Sequence, residues 1–214
     1  MIEFDVRMTR DGDLVVHHDR RLGRTSDGRG RIRALSSGDV RAADAGSWYA
    51  RRFRGERIPL LDDVLTAVPR SVGLDIEVKT DGDRRRAGAI ARALAESIHR
   101  ARRQESVVVS SFDHAFLRRL RRLDPALRLG VLYVPVRDRF RSAGQIARRS
   151  GAAMFICSRR QLRQRHIREA HRAGVSVAVY GVNTAEDAAR AARAGVDIVI
   201  TDHPGRILRA LTNS

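Results

Sequence analysis

Short apolar runs alternate along most of the chain with longer stretches that are rich in alanine, arginine and leucine. The apolar runs predict strands at 2–7, 72–79, 106–110, 127–133, 153–157, 175–180 and 196–200. The intervening stretches predict helices at 61–68, 84–103, 113–123, 142–150, 161–173, 184–194 and 204–211. Because short strands alternate with helices, the pattern indicates an α/β architecture built on a parallel sheet.

The number of strand-helix units limits the fold. A closed barrel of eight such units usually takes ~250 residues, whereas this chain has about seven units in 214 residues. We therefore expect a TIM (β/α)8-type barrel that is shortened at its amino-terminal end to about seven strands. Residues 8–60 are rich in turn signals and are predicted to form a small insertion after the first strand. The whole chain, 1–214, is expected to be a single domain.

Acidic side chains share one face of the first predicted strand. Glu3 and Asp5 alternate with Ile2, Phe4 and Val6, so the two carboxylates point to the same side. Two carboxylates aimed into one volume repel each other unless a cation lies between them. A strand with a polar face in solvent is the alternative, since any half-buried strand shows this alternation.

The second predicted strand repeats the pattern and places Asp75, Glu77 and Lys79 on one face. Lys79 is the single lysine among 42 lysine and arginine residues. Lysine carries a compact point charge and arginine a planar fork, so a narrow site beside a metal and a phosphate can accept one and not the other. The alternative is that one lysine has survived by chance.

The net charge of +17 raises the question of a nucleic-acid partner. The arginines are spread along the chain, zinc-finger spacing is missing, and only 5% of the residues are aromatic. We therefore expect weak, salt-sensitive binding to polyanions and no specific nucleic-acid partner.

The location of the protein is predicted from two features of the sequence. No window reaches the ~20 apolar residues of a membrane span, and the amino terminus lacks the features of a signal peptide. These features predict a cytoplasmic protein without a membrane span, with a signal peptide upstream of Met1 left open as an alternative. Cys157 is the only cysteine, so an intramolecular disulfide is not possible.

Several motifs occur in an order that is typical of one enzyme family. They are Glu3–Gly12, Leu14–Asp19, Leu22–Gly28, Asp44–Trp48, Ile58–Leu65, Ile76–Lys79, Ser111–Phe112, Val182–Asn183 and Gly195–Pro204. With these motifs the chain resembles the glycerophosphodiester phosphodiesterases. The resemblance implies a TIM barrel that uses a divalent metal to hydrolyse glycerophosphodiesters, its small-molecule substrates, to an alcohol and glycerol 3-phosphate.

The resemblance also implies roles for particular residues. Glu3, Asp5 and Glu77 correspond to the metal ligands, and carboxylate oxygens suit Mg²⁺ or Ca²⁺. Lys79 is expected to lie near the phosphoryl oxygens. His18 corresponds to one of two histidines that perform acid-base catalysis.

Three aromatic residues are expected to contact the substrate by the same resemblance. Phe112 and Tyr180 correspond to pocket walls, and Trp48 lies where it could close over the substrate. Ordinary packing in the core or in the insertion is the alternative for each of them.

One part of the family pattern is missing from this chain. The family begins with a strand that ends in His-Arg-Gly, followed by a Pro-Glu-Asn-Thr segment and a helix, and this histidine is the catalytic partner of His18. A start codon assigned at an internal methionine explains the difference and is the explanation we favour. The alternative is a shortened relative that binds metal and phosphodiester with little or no catalysis. A basic nucleic-acid-binding protein is the less favoured reading, and the oligomeric state is open.

Overall fold

The computed structural model describes residues 1–212. The strands are β1 (Ile2–Met8), β2 (Leu14–Val16), β3 (Arg21–Leu22), β4 (Gly30–Arg31), β5 (Leu74–Val78), β6 (Val107–Ser111), β7 (Arg128–Leu132), β8 (Met154–Ser158), β9 (Ser176–Tyr180) and β10 (Ile198–Ile200). The α-helices are α1 (Ser37–Arg41), α2 (Leu61–Ala67), α3 (Arg84–Arg100), α4 (His114–Leu123), α5 (Pro135–Asp138), α6 (Ala143–Ser150), α7 (Gln164–Arg172), α8 (Ala185–Ala194) and α9 (Pro204–Thr212). All seven predicted strands and all seven predicted helices are present.

The chain divides into two compact units, and the division passes through β6 and α4. The first unit contains residues 1–109 and 119–127. Its strands lie in the order β6-β5-β1-β2, in which β1 is parallel to β5 and antiparallel to β2. β1 is therefore held on both sides, and the polar side chains of its inner face have fixed neighbours.

The segment between β1 and α2 adds a strand to the sheet and forms a small substructure of its own. Residues 14–16 fold back as β2 and join the sheet beside β1, since the turn before them contains Gly12 at a φ of +100°. The remainder forms the small β3-β4 pair, two short 3-10 helices and α1. Its buried side chains form a separate apolar cluster of Val15, Leu22, Ile32, Val40, Ala43 and Ile58. The predicted loop-like insertion thus has its own core.

The second unit contains residues 110–118 and the described residues from 128 onward. Its strands follow in the order β7-β8-β9-β10, and each pairs in parallel with the next. A buried cluster on one face of these strands is formed by Leu132, Ile156 and Ala178. This arrangement agrees with the nearly continuous apolar runs in the sequence.

Within residues 1–212, each helix falls short of the length and apolarity that crossing a bilayer requires.

Candidate metal centre and active site

The pairing of β1 with β5 brings the predicted ligands together. In the parallel register Glu3 lies opposite Asp75, and Asp5 lies opposite Glu77. Side chains at paired positions of neighbouring strands point to the same face, so acidic groups from both strands converge. One oxygen each of Glu3, Asp5 and Glu77 lies within 4.8 Å of the other two. The trio predicted from the sequence is therefore a cluster in the structure.

Lys79 lies inside this acidic cluster. Its backbone N–H donates to the carbonyl of Val6 at 3.1 Å, which continues the pairing of β5 with β1. Its Nζ lies 3.0 Å from Asp5 Oδ1 and also contacts the carboxylate of Glu77. Asp75, which is buried, adds a further carboxylate. The Lys79 ammonium thus contacts two of the four carboxylates that lie close together here.

Burial and the neighbouring carboxylates change the acidity of these groups. Partial desolvation, together with the carboxylates of Asp5, Asp75 and Glu77, raises the pKa of Glu3 to about 8. Burial also raises the pKa of Glu77, although the adjacent Lys79 ammonium opposes the shift. A divalent cation would relieve this repulsion, and carboxylate oxygens are the donors that hard cations prefer. The donor set therefore fits Mg²⁺ or Ca²⁺.

His18 follows the end of β2, close to the cluster. The backbone N–H of His17 donates to the carbonyl of Asp5 at 3.0 Å and fixes this end of β2 against β1. Because side chains alternate in an extended segment, the ring of His17 is buried while the side chain of His18 is 60% exposed. The exposed ring is the one that can reach a substrate.

The ring of His18 is held by a chain of polar contacts. Its Nδ1 lies 2.7 Å from Asp19 Oδ1, and Arg24 Nε donates to the other oxygen of Asp19 at 2.6 Å. Hydrogen bonds from Arg24 and His18 hold the pKa of Asp19 well below its usual range. Asp19 is therefore a carboxylate that orients the ring through its contact with Nδ1.

Arg7 is a further residue of the site, and the sequence reasoning missed it. The side chain is buried, and its Nε and Nη2 donate to the carbonyl of His18 at 2.8 and 2.7 Å. Its Nη1 donates to Asp81, in the loop after β5. Arg7 thus ties the His18 segment to the loop that follows Lys79. Its position two residues after Asp5 on the same strand face was the available signal.

The comparison with known families decides which family the chain represents. The sequence profile of the glycerophosphoryl diester phosphodiesterase family matches residues 1–206. The chain belongs to this family.

Relatives and solved structures agree with this assignment. The chain is 32% identical to the protein YhdW of Bacillus subtilis strain 168, over 98% of this chain and 85% of YhdW. It is 31% identical to a glycerophosphodiester phosphodiesterase of Caldanaerobacter subterraneus subsp. tengcongensis, over 97% of this chain and 84% of that protein.

A solved structure of a phosphodiesterase from Oleispira antarctica, in complex with the product sn-glycerol-3-phosphate, is similar with a TM-score of 0.89. The two are 25% identical, over 98% of this chain and 84% of that one. The predicted TIM-barrel-type α/β fold is confirmed.

The three predicted aromatic contacts occupy different surroundings in this phosphodiesterase family member. Trp48 is 54% exposed, and its Nε1 donates to the carbonyl of Ala45 at 2.8 Å. Phe112 directly follows β6 and is 36% exposed. Tyr180 ends β9 and packs against the buried cluster that contains Ala178. Their role in substrate binding stays a prediction.

Proposed function

We propose that this chain hydrolyses glycerophosphodiesters to an alcohol and glycerol 3-phosphate with the help of a divalent metal. The convergence of carboxylate oxygens from Glu3, Asp5 and Glu77 within 4.8 Å carries the proposal. Membership of the phosphodiesterase family supports the reaction class. The product bound to the similar Oleispira antarctica enzyme supports the substrate class.

In this proposal Glu3, Asp5 and Glu77 hold Mg²⁺ or Ca²⁺. When bound, the metal would neutralise charge on the phosphate and polarise its oxygens. The Lys79 ammonium, already fixed by Asp5 and Glu77, would add a second positive charge beside the same oxygens. Both positive charges would stabilise the negative charge that develops on the phosphoryl oxygens during hydrolysis.

His18 is the proposed acid-base residue. Hydrolysis joins the oxygen of water to phosphorus, breaks the bond between phosphorus and the alcohol oxygen, and moves a proton from water to that oxygen. Because Asp19 engages Nδ1, Nε2 of His18 is the nitrogen that would exchange this proton with the reacting groups. Phe112, Tyr180 and Trp48 are proposed as walls of the substrate pocket.

We also propose that the chain acts as one catalytic domain, with residues 8–60 as its insertion. The match of a single family profile to residues 1–206 supports this proposal. One cooperative unfolding transition, seen by both tryptophan fluorescence and circular dichroism, is the expected result. Two separate transitions would contradict it. The cytoplasmic location stays a prediction.

The decisive experiment measures glycerol 3-phosphate released from glycerophosphocholine, with and without Mg²⁺ or Ca²⁺. We expect release only with metal, and we expect Glu77→Gln to lower it by at least about a hundredfold because a ligand is lost. The control is Glu96→Gln, since Glu96 is an exposed carboxylate on α3 and lies outside the cluster. Unchanged turnover in Glu77→Gln would defeat the metal assignment.

The same samples separate the proposal from the binding-only alternative. Calorimetric titration with the metal reports binding independently of turnover. Metal binding that is lost in Glu77→Gln, without release of product by the wild-type chain, would identify a catalytically impaired relative.

A further inference from the structure

The two most exposed apolar side chains of the described residues lie four positions apart in the sequence, and neither belongs to the cluster of Glu3, Asp5 and Glu77. Val136 lies in α5 and Phe140 lies in the link to α6, and they are 84% and 85% exposed. Single exposed apolar side chains are common, but apolar groups that lie near one another within a polar rim often mark an interaction surface. We call residues 136–149 the α5–α6 surface.

The exposure of these two side chains is built into the local structure. Pro135 occupies the first turn of α5, and the buried carboxylate of Asp138 accepts the backbone N–H of Val134 at 2.9 Å. The carbonyl of Arg137 also accepts Nη1 of Arg141 at 3.0 Å. These contacts fix the backbone around Val136 and Phe140, so the apolar side chains project from an ordered segment.

Positive charge surrounds the two apolar side chains. The guanidinium of Arg139 stacks over the ring of Phe140, with 4.6 Å between its carbon and the ring centroid. An adjacent open groove of about 330 Å³ is lined by Arg141, Gln145, Arg148 and Arg149. Gln145, Arg148 and Arg149 lie on one side of α6, and Arg141 lies just before this helix.

Among the described residues, Arg137 of this surface forms an ion pair with Asp138 at 3.4 Å, and the other guanidinium groups of the surface form none. In the described part of the chain, no carboxylate forms an ion pair with Arg139, Arg141, Arg148 or Arg149. Guanidinium groups bind phosphate oxygens through paired N–H donors. An anionic phosphate surface is therefore the complementary partner.

We propose that the α5–α6 surface docks this protein onto membranes that contain anionic phospholipid. Phe140 and Val136 enter the boundary between headgroups and acyl chains, and the guanidinium groups of the groove bind lipid phosphates. The aliphatic side chain of Val136 favours a lipid over a nucleic acid, because it cannot stack on a base as an aromatic ring does.

The test is co-sedimentation with vesicles at physiological ionic strength. Vesicles of phosphatidylcholine containing phosphatidylglycerol should bind the chain, and vesicles of pure phosphatidylcholine should not. The double variant Val136→Ser/Phe140→Ser should reduce the bound fraction about tenfold, because both apolar anchors are lost. The double variant Arg148→Ser/Arg149→Ser should reduce it as well.

The matched control is Arg118→Ser/Arg122→Ser, which removes the same charge from exposed positions of α4 and should bind like the wild type. Thermal unfolding followed by circular dichroism verifies that each variant is folded. If the control and Arg148→Ser/Arg149→Ser lose the same fraction of vesicle binding, net charge alone explains the binding and the proposal is overturned.

Three further outcomes would also overturn it. Vesicle binding that survives in Val136→Ser/Phe140→Ser would remove the role of the apolar anchors. Tighter binding to a short single-stranded RNA than to the vesicles would identify a nucleic-acid surface instead. Concentration-dependent self-association that the same variant abolishes would identify a second copy of the chain as the partner.

Discussion

At the scale of single residues, the surroundings of Lys79 favour a lysine over an arginine. Its Nζ fits between Asp5 and Glu77 in a site that leaves the side chain only 15% exposed. A guanidinium is wider and needs planar, forked partners, so Lys79→Arg should push the carboxylates apart. We expect glycerophosphocholine hydrolysis to fall by about a hundredfold. The reverse exchange at an exposed site on α3, Arg92→Lys, is the control, and wild-type rates in Lys79→Arg would refute the prediction.

Cys157 permits a second prediction at this scale. The side chain is completely buried in β8, and burial raises the pKa of its thiol to about 12. Since the thiolate is the reactive form, iodoacetamide should not label the folded protein at mildly alkaline pH. Labelling should become complete in guanidinium chloride, as mass spectrometry would show. Rapid labelling without denaturant would contradict the burial of this residue.

At the scale of elements, one buried arginine holds the connection between α2 and β5. The Arg103 side chain is 2% exposed, and its guanidinium donates to four backbone carbonyls, those of Leu65, Val68, Pro69 and Val72. Arg103→Met should destabilise the fold by about 3 kcal/mol, because buried carbonyls would lose their donors. Urea unfolding measures the change, with Arg92→Met as the exposed control. A loss as small as that of the control would show that other groups satisfy these carbonyls.

The loop that carries Trp48 depends on a close backbone approach. A Cβ at Gly46 would lie 1.8 Å from the carbonyl oxygen of Phe53, whereas one at Gly38 in α1 would meet nothing nearer than 3.7 Å. Gly46→Ala should therefore lower the free energy of unfolding by more than about 2 kcal/mol and shift the emission of Trp48. Gly38→Ala should be neutral or slightly stabilising. Equal stability of the two variants would exclude this steric account.

At the scale of the whole molecule, buried histidines make stability depend on pH. Burial lowers the pKa of His17, His114 and His166. A histidine whose pKa is lowered in the fold binds its proton more readily in the unfolded chain, so the contribution of these histidines to stability is complete above about pH 6.5 and falls as the pH decreases below it. In urea titrations we expect this contribution to appear as an acid limb, which is a decrease in the free energy of unfolding as the pH is lowered below about 6.5.

His166 tests this expectation directly. Its ring packs against Tyr133 and Phe155, with centroids 5.2 and 5.6 Å away, and its Nδ1 lacks a hydrogen-bond partner among the described residues. Arg163 and Arg165 lower its pKa further, and Glu169 opposes them. His166→Phe should flatten the acid limb of stability, because an apolar ring takes no proton. An unchanged limb would assign the effect to other groups.

The sequence predicted most of the fold of the molecule because the signals are periodic. The apolar runs of β1 and β5 predicted the faces on which Glu3, Asp5 and Glu77 lie, and the parallel pairing of the two strands makes the three carboxylates neighbours. Local patterns do not reveal long-range pairing of short segments, so β2, with only three residues, was not predicted as a strand of the sheet. Local patterns also do not distinguish a buried arginine from an exposed one, so the burial of Arg7 and Arg103 was not predicted.

The pairing of β1 with β2 sets the orientation of His17 and His18. The hairpin pairs Met8 with Leu14 and Val6 with Val16, so the number of residues in its turn decides which of His17 and His18 faces outward. Adding or deleting one residue in this turn would turn His17 outward and His18 inward. The length of this turn is therefore as constrained as the identity of Gly12, whose φ of +100° other residues rarely adopt.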